Sequence, residues 1–126
     1  MDIGSGTGIL SIFAAQAGAK KVFAVEASNL AELSKQVIQE NSCQDVIEVY
    51  NCKIEDFKLP QGIEFVDVII SEWMGFYLLH EGMLDSVLLA RERFLNPNDG
   101  KLFPDRAIIY LAPCTLPSLF DDWNNV

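Results

Sequence analysis

Basic residues are scarce in this chain. Lys and Arg number 9 against 18 Asp and Glu, and the formal net charge is −9 over 126 residues. Binding nucleic acid through phosphates needs a basic face, so this composition argues against such a partner. It suits a basic one. Cysteine is scarce too. Cys43, Cys52 and Cys114 are widely spaced and form no CxxC pair. That argues against a disulfide framework or a zinc site and favours a reducing compartment, nucleus or cytoplasm. No metal site is expected. No apolar run approaches bilayer-spanning length, and no signal-peptide pattern opens the chain, so no membrane partner is expected. Apolar side chains are what the sequence has in plenty: 50% of residues are hydrophobic. That supports a packed core, and the length allows one modest domain rather than two.

The chain opens on a glycine-rich turn, Gly4-Ser5-Gly6-Thr7-Gly8. Such turns follow a full strand in a strand–turn–helix unit. Almost no strand precedes this one, so the chain reads as part of a longer protein. Helical spacing predicts a helix over residues 9–17, with Ile9, Leu10, Phe13, Ala14 and Ala17 on one face and Gly18 as its cap. A strand over 22–25 ends at Glu26. Asn29 and Glu32 have the spacing of a capping box for a second helix, which carries Leu30, Leu33, Val37 and Ile38 on one face and stops at Asn41. Further strands are expected over 46–50, 65–70, 101–103 and 107–111. A third helix carries Met83, Val87, Leu88, Ala90, Arg91 and Phe94 and ends near Pro97. Strands alternating with helices predict a parallel, right-handed α/β sheet.

The loop lacks the last glycine of the dinucleotide fingerprint, because the sixth position counted from Gly4 is Ile9. Gly4, Gly6 and Gly8 still let the backbone approach a ligand closely, and the helix that follows offers free N–H groups to an anion. Glu26, at the end of the next strand, stands where an acid accepts hydrogen bonds from ribose hydroxyls. A ribose acid and glycines without a pyrophosphate turn favour S-adenosylmethionine over a nicotinamide dinucleotide. Asp2 either braces the loop or meets the ligand's ammonium. Glu55 is either an adenine acceptor or a loop carboxylate in water.

The run Ser71-Glu72-Trp73-Met74-Gly75-Phe76-Tyr77-Leu78-Leu79-His80-Glu81 holds two acids in nearly uncharged surroundings. Carboxylates there are costly to desolvate unless a cation pairs with them. Glu72 follows a strand, where open α/β sheets place their sites. Glu81 is expected to begin the following helix, with the turn bringing it back towards Glu72. Four carboxylate oxygens match the donor fork of a guanidinium, so the pair reads as an arginine clamp. Arginine does not deprotonate beforehand. Methyl transfer would therefore rest on positioning and electrostatics, with the proton lost during or after attack. Met83 either packs beside that site or belongs to the core, and His80 is either a relay or a polar helix-entry residue.

With these residues in view, the chain resembles the protein arginine N-methyltransferases, and more narrowly their asymmetric-dimethylating branch. The run Asp2 to Ser11 is shared with many methyltransferases. Ala24-Val25-Glu26-Ala27-Ser28 and Ser71-Glu72-Trp73-Met74-Gly75, followed by Glu81 and Met83, are more specific. The resemblance implies a Rossmann-like methyltransferase sheet with helices on both faces over residues 1–103, lacking most of its first strand. Residues 104–126 would open a substrate-binding β-barrel after Pro104, a proline often cis in the family. It further implies that Gly4, Gly6 and Glu26 bind S-adenosylmethionine, with Asp2, Ile54 and Glu55 nearby. Glu72 and Glu81 would hold the substrate arginine, and Met83 would line the site. Implied substrates are histone tails and Gly/Arg-rich proteins, and the full-length protein would be a homodimer.

The family's N-terminal helices, most of its first strand and its Thr-His-Trp loop are not in this sequence. The expected outcome is that the chain alone turns over little or no substrate. A methylation assay with labelled cofactor and a histone peptide checks this, and robust turnover would refute it. Two alternatives remain open: a methyltransferase acting on another substrate, and a non-catalytic truncated product.

Overall fold

The structure, a computed structural model, describes residues 1–115. Residues 116–126, including Asp121, Asp122, Trp123 and much of the expected 104–126 domain, lie outside the described residues. Eight elements follow in order: β1 (Asp2–Ile3), α1 (Ile9–Gln16), β2 (Val22–Val25), α2 (Leu30–Glu40), β3 (Ile47–Tyr50), β4 (Val68–Ile70), α3 (Leu84–Phe94) and β5 (Lys101–Phe103). The strands form one sheet in the order β3-β2-β1-β4-β5, and every pairing is parallel. From β1 the chain winds outward to β2 and β3, then returns to β4 on the other side. The crossovers put α1 and α2 on one face and α3 on the other. The reversal falls between β1 and β4, and open sheets of this kind bind ligands beyond the strand ends at that point.

Alternation along β2 divides the core. Val22 and Ala24 pack with Ile12, Ile38 and Ile47 under α1 and α2. Phe23 and Val25 pack with Ile3, Phe57, Ile69, Val87 and Phe94 on the α3 side. Phe57 is buried and makes edge-on contacts with Tyr50 and Phe94, at 4.9 and 5.5 Å between ring centroids. Each such pair contributes about 1 kcal/mol beyond area burial. Phe57 thereby anchors the loop that carries Ile54 and Glu55.

Several expectations need correction. The strand expected over 65–70 is shorter, because Val66 exchanges hydrogen bonds with Phe94 and Asn96 and leaves the ladder before β4 begins. Ile9 and Phe13 are more than half exposed, while Ser11 and Ile12 are buried. The helix is rotated because the Ser11 hydroxyl donates to the buried Asp2 carboxylate, at 2.7 Å. On α2 the buried residues are Ala31, Ser34 and Ile38, while Leu30 and Leu33 are exposed. A Cβ at Gly8 would stand 2.8 Å from Ser34 Oγ, so small groups meet where the two helices approach. The capping box does not form. Asn29 is already helical and makes no side-chain cap, and the Leu30 N–H donates to Ser28 Oγ instead, at 3.2 Å. Glu81 precedes α3, whose N-cap is Met83.

Residues 107–111, expected to open the barrel, form no strand and are exposed; a strand needs a partner for its ladder, and none pairs with them among the described residues. The Phe103–Pro104 peptide bond is cis. The helix stops predicted around Gly18 and Asn41 hold. Gly18 at φ 96° and Ser42 at φ 56° follow the C-caps, and the N–H groups around them reach back to the last-turn carbonyls.

Candidate active site

Beyond the strand ends lies a cavity of about 770 Å³. Four segments place the sequence-predicted residues on its wall. The turn after β1 gives Gly4, the end of β2 gives Glu26, the loop after β3 gives Ile54 and Glu55, and the segment after β4 gives Glu72, Glu81 and Met83. Asp2 and Gly6 are not among the lining residues.

Glu26 is only 9% exposed. Its Oε2 accepts the Gly6 N–H and its Oε1 the Ser28 N–H, each at 2.8 Å. Burial is the largest single influence on this carboxyl and pushes it up. Hydrogen bonds from Ser28, then from the Gly6 and Ala27 backbones, outweigh that, and it lies below the ordinary carboxylate range. Glu26 is thus a fixed, ionised acceptor with lone pairs left for a diol. The segment that follows it is held by Asn51, whose Nδ2 donates to the carbonyls of Glu26 and Ser28, both at 2.9 Å. Nothing local in the sequence marks Asn51 for this.

Gly4 has φ +66°, and its N–H donates to the Val25 carbonyl at 2.9 Å. A Cβ there would overlap the Met83 methyl. The glycine loop and the methionine after the second glutamate are therefore packed together.

Asp2 lies beneath the loop and is 1% exposed. Oδ2 accepts from Ser11, while Oδ1 has no partner among the described residues. Burial, partly offset by the Ser11 hydrogen bond, raises this carboxyl above its ordinary 3.8. Its stabilising contribution is therefore complete below that ordinary value and lost as pH rises through the raised one. Asp2→Asn keeps an acceptor for Ser11 and removes the charge. Urea unfolding from acid to neutral pH is expected to show the variant gaining on the wild type as pH rises. A constant difference would contradict this.

Glu55 is exposed, and its Oε1 accepts from the Ser86 hydroxyl at 2.8 Å. Arg93 donates to the carbonyls of Glu55 and Phe57, at 2.8 and 3.0 Å. Helix α3 thus holds the loop at three points. Ser86 also lines the cavity, and sequence spacing gave no signal for it. Cys52 lines it too, with its thiol pushed up by burial and then by the Asp56 charge, so it stays protonated.

Glu72 and Glu81 are both exposed on the cavity wall, where water solvates them. The Ser71 hydroxyl donates to the Ile3 carbonyl at 2.8 Å, and Trp73 is buried, so Glu72 is pinned on both sides. His80 is exposed and does not line the cavity. Among the described residues no cluster of His, Cys, Asp or Glu could hold a metal ion.

A family model described as "Ribosomal protein L11 methyltransferase (PrmA)" matches residues 1–79. The match ends before Glu81. "Protein arginine N-methyltransferase 1" of Caenorhabditis elegans is 59% identical over 113 residues, covering 89% of this chain and 32% of the relative. A solved structure described as "Crystal structure of PRMT6" aligns at TM-score 0.84 and 39% identity, over 98% of this chain and 42% of that one. The chain belongs to the protein arginine N-methyltransferases. The Trypanosoma brucei "PRMT1 enzyme-prozyme heterotetrameric complex with AdoHcy" aligns at TM-score 0.77 and 49% identity, over 82% of this chain and 32% of that one. This arginine methyltransferase chain spans about a third of the length of the curated relatives it matches. The shared sheet accounts for the PrmA match.

Proposed function

We propose that this chain forms the cofactor-binding and arginine-gripping part of a protein arginine N-methyltransferase. The protein would transfer a methyl group from S-adenosylmethionine to a guanidinium nitrogen of arginine in proteins. One observation carries the reading: Glu26 with the glycine turn, and Glu72 with Glu81, line the same cavity. A nucleoside and a guanidinium held there would be neighbours.

The chain's residues fit the methyl donor. Glu26 is fixed and ionised for ribose hydroxyls, and Glu55 is an acceptor for an adenine amino group. Gly4 brings bare backbone to the cavity where any side chain would displace Met83. The family neighbour holding AdoHcy supports the same choice. When bound, S-adenosylmethionine supplies an electrophilic methyl group on a sulfonium.

Glu72 and Glu81 bind the guanidinium through its fork of N–H donors and fix its plane. Their charge draws the cation's positive charge towards the bonded nitrogens and leaves another nitrogen freer to attack. The proton released is taken by one of the two carboxylates. Most of the rate would come from orientation and electrostatics.

Histone tails and Gly/Arg-rich proteins are the proposed substrates, and asymmetric dimethylarginine the proposed product, in nucleus or cytoplasm. The whole protein is proposed to be a homodimer. The exposed apolar side chains Ile9 and Phe13 on α1, and Leu30 and Leu33 on α2, support a buried face there.

Calorimetric titration tests the reading. S-adenosylhomocysteine is expected to bind, and a nicotinamide dinucleotide is not. With the homocysteine form bound, an arginine peptide should bind and its lysine counterpart should not. Failure of the nucleoside to bind, or equal affinity for the two peptides, would overturn it.

A further inference from the structure

The turn between the two glutamates closes on itself. Gly75 N–H donates to the Leu78 carbonyl at 3.1 Å, and Leu78 N–H returns to the Gly75 carbonyl at 2.9 Å. Tyr77 and Leu78 take φ values of 50° and 67°, in the left-handed region. Gly82, at φ 66°, then turns the chain towards α3. This path folds Glu81 back across Gly75.

The contact is close. A Cβ on Gly75 would stand 2.7 Å from Glu81 Cγ, 3.2 Å from its Cδ and 3.2 Å from its backbone N. Gly75 is not among the residues with positive φ, so its φ does not call for a glycine. Only the room taken by Glu81 requires a glycine. Glu72 is held separately, through Ser71 and Trp73.

We infer that Gly75 is a positioning residue for Glu81. Its missing side chain lets the Glu81 stem lie against the turn, which keeps the second carboxylate on the cavity wall with the first. The inference rests on the proposed grip of Glu72 and Glu81 on a guanidinium. A methyl group at position 75 moves the Glu81 stem outward while Glu72 stays, and the pair no longer matches the fork of donors.

The test compares the wild-type chain, Gly75→Ala, Glu81→Ala and the double variant. Each is titrated with S-adenosylhomocysteine, then with an arginine peptide, and each is melted. Gly75→Ala is expected to leave nucleoside affinity unchanged and to weaken the peptide about tenfold, the scale of losing one charge-assisted hydrogen bond. Adding it to Glu81→Ala should cost no further peptide affinity. Its loss in melting temperature should appear with Glu81 present and shrink without it, because Glu81→Ala removes Cγ, the atom nearest the new methyl, and leaves only the wider backbone contact. Equal melting losses in both backgrounds would overturn the inference. So would wild-type peptide affinity in Gly75→Ala alongside a loss in Glu81→Ala. If Glu81→Ala itself binds the peptide like wild type, the reading of the site fails first, and the inference with it.

Discussion

Glu72→Gln and Glu81→Gln should each weaken binding of an arginine peptide by about tenfold and leave S-adenosylhomocysteine affinity unchanged. The substitution keeps the shape of the side chain and removes its charge. A charge-assisted hydrogen bond then becomes a neutral one, and an amide N–H replaces one of two acceptors. The effect stops near tenfold because both acids are exposed, and solvent and salt screen an exposed pair. The wild-type affinity should accordingly fall as salt is raised, and fall less in the variants. The double variant should lose less than the product of the single effects, because both acids grip one group. Calorimetry at two salt concentrations checks all of this. A methyltransferase acting on another substrate predicts a different result, in which neither substitution affects peptide binding.

The larger loss is expected at Gly4→Ala. Gly4 sits at φ +66°, where an L-residue costs about 1–2 kcal/mol. The new Cβ would also overlap the Met83 methyl and stand 3.2 Å from its sulfur. Either the turn shifts or Met83 leaves the wall, and the turn carries both Gly4 and the Gly6 N–H that fixes Glu26. Nucleoside affinity is expected to fall about a hundredfold, the scale of a one-ångström misplacement. Met83→Ala in the same chain separates the two causes. It removes the overlap and leaves the backbone strain, so Gly4→Ala with Met83→Ala should recover part of the loss. Full retention of affinity in Gly4→Ala would mean that the turn takes no part in the cavity. The central helix-side packing should be untouched, since Ile12, Ala24 and Ile38 lie on the opposite face of the sheet.

Much of this was legible in the chain. Short apolar runs bounded by glycine and polar residues marked β2, β3 and β5, and Gly18 and Asn41 marked helix ends. The acid after β2 could be placed because a parallel sheet leaves few routes for the residue that ends a strand. What failed was the choice of helix face. Periodicity favoured Ile9 and Phe13 over Ser11, and Leu30 and Leu33 over Ser34, because an apolar side chain is the default guess for a buried position. The structure buries the serines instead, where Asp2 needs a donor and Gly8 needs room. Ser86, Asn51 and Arg93 were illegible for a related reason. Each holds a distant loop by hydrogen bonds across the fold, and nothing in local spacing reports them. Gly75 could be seen as a turn residue, but its contact with Glu81 depends on how the chain returns.

The most direct measurement is a crystal structure of the chain with S-adenosylhomocysteine and an arginine peptide bound together. The expected result has the ribose hydroxyls on Glu26 and the guanidinium between the carboxylates of Glu72 and Glu81, in one continuous cavity. A guanidinium bound elsewhere, or a nucleoside that leaves Glu26 untouched, would contradict the account.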